Sequence, residues 1–289
     1  HSESEKALVY HTSALQSFEN VGDNQGVLSS LRPVGITYQM LCQYDKALEC
    51  YNRELSIQQQ VDNKTGIAAT LANIATIYLL IGQQDIALER YLQALSVIEL
   101  LGEDHSLLII VLGNIANLYM SLDEYEEALT YQERVLAICQ KRNDAKGEAL
   151  TLVNIGWNYL QSKQFELVLD YEFRALQVVE QIGDKKLKGN ILLHIGLAYT
   201  GIGKYEEVLH YLQQSYELSD KAGDKRTNAA IFKAMGDLFL ITGEKEQANK
   251  YYKNALMIAE EIHLQQTEYE LHELIAHVEE DSGNVSEAL

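Results

Sequence analysis

Two short stretches of this chain carry residue types that could do chemistry. "HELIAH", His272 to His277, has the composition of a zinc-dependent hydrolase helix, and "TGIGKY", Thr200 to Tyr205, has the glycine and lysine of a phosphate-binding loop. Neither spacing supports the chemistry. A zinc helix places its imidazoles at i and i+4 on one face, whereas His272 and His277 are i and i+5, about 140° apart around a helix. In the second stretch Ala198 stands where the first glycine of a phosphate loop belongs, and Tyr205 where a Ser or Thr would hold magnesium. No strand pattern precedes it. The three cysteines, Cys42, Cys50 and Cys139, form no CxxC pair, so they indicate neither a disulfide framework nor a zinc site. They fit a reducing, cytoplasmic setting. Carboxylates are plentiful but fall mainly on charged helix faces and in turns, and the eight histidines lack a paired nucleophile. The expectation is a chain with no catalytic residues, no metal and no cofactor.

Charge narrows the partners. Forty-two acidic against 23 basic residues leave a net charge of -19, which disfavours a nucleic-acid backbone or an anionic membrane surface. A protein or peptide, basic residues included, fits better. The uncharged run 106–122 is shorter than the roughly 20 residues that cross a bilayer and contains Gly113, Asn114, Asn117 and Ser121. What remains as chemistry is the amide: Asn73, Asn114 and Asn154 recur at nearly equal spacing among apolar residues.

That spacing belongs to a larger repeat. A small residue occupies Gly35, Ala75, Ala116, Gly156, Gly196, Gly236 and Ala276, at steps of 40, 41, 40, 40, 40 and 40. An aromatic follows three residues later at Tyr38, Tyr78, Tyr119, Tyr159, Tyr199 and Phe239, and Ala or Val follows twelve later, from Ala47 to Ala288. Each unit reads as two amphipathic helices, the first nearly uncharged and the second charged on one face. In the turns "VGDNQG", "IGDKKLKG" and "AGDKRTN", Gly22, Gly183 and Gly223 are set to end one helix, and the Asp after each to cap the next. The small residues let paired helices approach closely, and the aromatics are expected to fill the wedge between successive pairs.

The small-x-x-Tyr pattern, the Ala of "YEEAL" and Ala94, Ala175 and Ala255 seven residues further on resemble the tetratricopeptide repeat family. The form is that with units of about 40 residues, as in kinesin light chains and bacterial signalling arrays. Glu54, Val135 and Ser215 depart from the last alanine, and Val168 and Val208 from the earlier one. HEAT or armadillo repeats have similar periods but do not require this spacing. The resemblance implies an all-α, right-handed α-solenoid of tandem helix-turn-helix repeats. Six complete units are expected at 25–64, 65–105, 106–145, 146–185, 186–225 and 226–265, between a second helix at 1–24 and a partial seventh unit at 266–289. Both ends therefore read as cut from a longer protein.

Within such an array one face of each first helix lines the concave groove. Counting about 100° per residue from the small position places the residues two before, one after and five after on that face. It comprises Asn73 and Leu80, then Asn114 and Asn117, then Asn154, Trp157 and Gln161, then His194 and Leu197, then Asp237. A side-chain amide both donates and accepts, so a row of them can pair with a peptide backbone of any sequence. Trp157 and the leucines would supply side-chain pockets. Towards the C-terminal end the face turns acidic, with Asp237, Glu270, Glu273 and Asp281. The function expected is a non-enzymatic scaffold that binds an extended peptide or partner segment. The alternatives are the sensor or recruiting arm of a signalling enzyme (a caspase-like protease, kinase or cyclase) and a peptide-sensing regulator of the Rap type.

Overall fold

The structure, a computed structural model, describes residues 2–102 and 105–281. Among them are fourteen α-helices and no strand: α1 (Ser2–Val21), α2 (Asn24–Met40), α3 (Tyr44–Gln60), α4 (Lys64–Leu80), α5 (Gln84–Glu99), α6 (Ser106–Ser121), α7 (Tyr125–Lys141), α8 (Ala145–Gln161), α9 (Phe165–Ile182), α10 (Lys185–Ile202), α11 (Tyr205–Lys221), α12 (Lys225–Ile241), α13 (Lys245–Glu261) and α14 (Gln265–Asp281). The last repeat position, Ala288, and the side chain of Asp281 lie outside the described residues. The even-numbered helices from α2 onward are the first helices of the repeat, mostly apolar except for the acidic α14, and the odd-numbered ones are the second helices.

The turns follow from the sequence. Gly22, Gly183 and Gly223 all take the left-handed conformation, with φ of 71°, 73° and 66°. Asp23 accepts from the amides of Gln25 and Gly26, Asp184 from Leu187 and Asp224 from Thr227. Each carboxylate thereby satisfies an amide that the first turn of a helix leaves without a partner. Six turns place a residue other than glycine at positive φ: Cys42, Asp62, Asp123, Asn143, Lys163 and His263.

The chain divides into two compact units, residues 1–138 and 139–289. In the first, α2 packs on α3 and α4 on α5, with α1, α3 and α5 also against the helix that follows each of them. A core of Ala47, Tyr51, Ile74 and Ile77 joins the first two of these hairpins. In the second unit α8 pairs with α9, α10 with α11 and α12 with α13, and α10 also touches α8 and α12. Leu193, Val208, Leu212, Ile231, Ala234, Met235 and Leu238 form one core cluster there, and Ala248, Tyr252, Ala255, Ala259, Leu271, Ile275 and Val278 another.

The small positions do bring paired helices together. A Cβ on Gly236 would lie 2.5 Å from the Tyr252 ring. The aromatics that follow them pack against clusters shared with the next hairpin, as Tyr38, Tyr199 and Phe239 do, and four of them also meet a second aromatic of their own hairpin. Tyr119 meets Tyr131 at 5.6 Å, Tyr159 meets Tyr171 at 5.3 Å, Tyr199 meets Tyr211 at 5.4 Å and Phe239 meets Tyr251 at 5.3 Å. Three of these pairs are stacked and the Tyr159 and Tyr171 rings are tilted by 35°, and each partner stands twelve residues later, where the second helix passes alongside. Ala128 is fully buried, so Ala128→Leu should cost about 2 kcal/mol by overpacking, read as a shift in the urea midpoint. An unchanged midpoint would show that the site has room.

Candidate functional site

The expected groove residues lie on the first helices of each unit. In the first unit Asn73 is half-buried and Leu80 exposed on α4, while Asn114 is half-buried and Asn117 exposed on α6. In the second unit Asn154, Trp157 and Gln161 are exposed on α8, and His194 and Leu197 are half-buried on α10. Asp237, on α12, is half-buried. The structure joins two of them directly. The Trp157 indole lies over the His194 imidazole, centroids 5.2 Å apart and planes inclined by 36°. Leu197 packs against the apolar core of its unit.

Behind that ring pair stands a residue the sequence reading did not single out. Glu172, on the second helix α9, is 0% exposed, and its Oε1 lies 2.6 Å from Nδ1 of His194. Burial pushes the Glu172 carboxyl above the ordinary carboxylate range, while the charge and hydrogen bond of His194 pull it back down. Its other oxygen, Oε2, has no hydrogen-bond partner. Gly156 makes this possible: a Cβ there would lie 2.5 Å from Oε1 of Glu172. The arrangement runs from an outer-helix carboxylate through an imidazole to an exposed indole, and it fixes the orientation of the last two.

The same position recurs in every hairpin. Tyr51, Tyr91, Gln132, Glu172, Leu212 and Tyr252 each stand sixteen residues after the small position, and all are buried. Several reach through to the first helix. The Tyr91 hydroxyl lies 2.9 Å from that of Thr76, and Tyr252 Oη donates to Asp237 Oδ1 at 2.8 Å. Burial, and then the negative charge of Asp237, push the Tyr252 phenol up, so it remains a donor. Asp237 also stands 3.5 Å from Lys233 Nζ. The acidic character expected there is therefore partly compensated. A cleft of about 390 Å3 lined by Lys233, Glu270, Glu273, Leu274 and His277 lies on α12 and α14.

Two departures from the family pattern make polar contacts of their own. Glu54, where an alanine is usual, pairs with Arg32 at 2.7 Å and is 1% exposed. The Ser215 hydroxyl donates to the Gly189 carbonyl at 2.7 Å. Among the described residues no group of three or more His, Cys, Asp or Glu side chains is arranged to hold a metal ion. No described helix is long and apolar enough to cross a membrane.

Three consecutive stretches, 26–100, 107–181 and 187–261, match the family model "Tetratricopeptide repeat". This chain belongs to the tetratricopeptide repeat family. Among solved structures of the fold, BtubC (BKLC) from P. vanneervenii is 16% identical with a TM-score of 0.69, covering 76% of this chain and 92% of that one. The apo form of RapI is 18% identical with a TM-score of 0.74, covering 90% and 92%. The apo form of the quorum sensor NprR from B. thuringiensis is 16% identical with a TM-score of 0.70, covering 98% and 80%. At these identities the tetratricopeptide likeness establishes the fold. A search of curated proteins returns no match.

Proposed function

We propose that this tetratricopeptide chain is a non-enzymatic interaction scaffold whose first-helix faces hold an extended peptide or partner segment. The observation that carries the reading is Trp157: an indole 42% exposed, stacked on His194, which Glu172 holds from behind. An aromatic held in place before the partner arrives loses little freedom on binding, the usual property of an interface anchor. Asn154 on the same helix in the second unit, and Asn73 and Asn114 in the first, supply amides that pair with a peptide backbone whatever its side chains. Glu270 and Glu273 suit a basic residue at one end of the bound segment. The cysteine usage favours a cytoplasmic location.

The likeness to RapI and to the quorum sensor NprR favours one second reading, in which the bound segment is a short signal peptide and the chain is a regulator. A sensor arm within a larger signalling enzyme would use the same faces. The test begins with a pull-down on this chain to identify the partner segment, followed by titration of that synthetic segment against variants. Asn73→Ala, Asn114→Ala and Asn154→Ala should each weaken binding by roughly fivefold, about 1 kcal/mol for one neutral hydrogen bond. Their melting temperatures should match the parent. Variants that melt normally and bind normally would place the partner elsewhere.

A further inference from the structure

A glycine inside a helix weakens it, because glycine gives up the most backbone freedom on folding and has no side chain to pack. Close packing accounts for most of the helical glycines of this chain. Apart from Gly113 and Gly189, every glycine inside a described helix would bring an added Cβ within 3.0 Å of another side chain, as Gly35 would with Tyr51 at 2.6 Å and Gly201 with Phe165 at 2.4 Å. At Gly189 the Cβ would make an ordinary contact with Leu218 at 3.7 Å. Gly113, in the interior of α6, has no described neighbour within 4 Å of that position. Nothing inside the chain requires glycine there.

Its surroundings point outward. Ile110, Gly113, Asn114 and Asn117 stand at i, i+3, i+4 and i+7, on one face of α6. Ile110 is 55% exposed, Asn117 is exposed and Asn114 half-buried, and neither side-chain amide is hydrogen-bonded to another described residue. In a chain of net charge -19, α6 carries no charged residue from Ser106 to Ser121.

We propose that Gly113 is the point at which the main chain of the bound segment crosses α6 in close contact, and that it thereby decides what can approach the asparagines. The inference rests on the peptide-binding reading above and adds to it a residue that acts through the lack of a side chain. With no Cβ at this position a peptide backbone can lie directly against the helix, within reach of the Asn114 and Asn117 amides. The residues that cross here are uncharged, because a charged side chain would lose water and meet no opposite charge on α6. A methyl group at position 113 holds the backbone away and stretches both hydrogen bonds out of their effective range. Gly113→Ala therefore has opposite effects on the fold and on binding: it improves the helix and spoils the contact.

The probe is a dodecapeptide recovered from a displayed random library panned against the full chain, then synthesised and titrated into each variant by calorimetry. Gly113→Ala should raise the melting temperature by about 2 °C and weaken the probe by about tenfold, the effect of two impaired neutral hydrogen bonds. Gly113→Leu should melt no lower than the parent and bind still more weakly than Gly113→Ala. With Asn114→Ala and Asn117→Ala already in place, adding Gly113→Ala should change affinity by less than about twofold, because the bonds it disturbs are gone. A lowered melting temperature in Gly113→Ala would make the glycine structural and overturn the proposal. Unchanged affinity in Gly113→Ala beside weakened binding in Asn114→Ala would also overturn it, and would leave the peptide reading intact. Unchanged affinity in both variants, or a library that yields no binder, would overturn the peptide reading and this inference together.

Discussion

Replacing His194 by leucine is expected to cost about 3 kcal/mol of stability at pH 8 and only about 1 kcal/mol at pH 5. The imidazole is the partner recorded for the Glu172 carboxylate, which is fully buried. Removing one member of a buried pair leaves the other uncompensated, and an uncompensated carboxylate in an apolar setting takes up a proton instead. Glu172 already sits above its ordinary value because of burial, and losing His194 removes what pulls it down. The sign follows from linkage. A carboxyl whose folded pKa is raised binds its proton more tightly in the folded state. The variant is therefore little affected below the ordinary carboxylate range. It loses stability as pH rises through that range towards the raised folded value, and the loss then levels off. Urea melts at the two pH values measure the difference. Glu172→Leu combined with His194→Leu should recover most of the loss at pH 8, because Leu212 occupies the same repeat position beside Gly196 in the next hairpin. Equal losses for His194→Leu at both pH values would mean that Glu172 is not the source.

The second large effect is on binding. Trp157→Ala should weaken capture of the partner segment by about thirtyfold, about 2 kcal/mol, as truncation of a central aromatic anchor does. The melting temperature should move little, because much of the indole already faces solvent and its stacking partner keeps its own bond to Glu172. Titration and melting on the same preparation separate the two effects. Unchanged affinity would remove Trp157 from the interface, whereas a large fall in melting temperature with proportionate loss of binding would make the ring structural.

Much of this architecture is legible in the amino-acid order, for identifiable reasons. The turn between α9 and α10 requires a left-handed residue and then an acceptor, and Gly183 followed by Asp184 supplies both. The first helices announce themselves because α4 and α6 must be apolar nearly all round to be covered by neighbours. The carboxylate behind Trp157 was hidden by two things. Glu172 lies on a charged second helix, where acidic residues are ordinarily solvated. Its repeat position also has no common chemistry, since Tyr, Gln, Glu and Leu all occupy it. The helical period nonetheless contains the signal: Val168, Glu172 and Ala175 are i, i+4 and i+7, one face of the second helix. Applying to α9 the angular count used for the first helices would have placed Glu172 inside. The partner of Glu54 was equally invisible, because Arg32 lies 22 residues earlier and only the folded hairpin brings the two together.

Tyr91, Glu172 and Tyr252, each buried on a second helix, reach polar side chains of first helices, and the residue at that repeat position differs among the hairpins. The face proposed to bind would thus rest on two layers of side chains, one on the first helices and one on the second. A lineage could exchange a phenol for a carboxylate or an isobutyl group on the outer helix and so change how the residues above it are held, while every residue that touches the partner stays the same. Comparisons of recognition between such arrays that consider only the lining residues would miss half of the variation that selection has to work with.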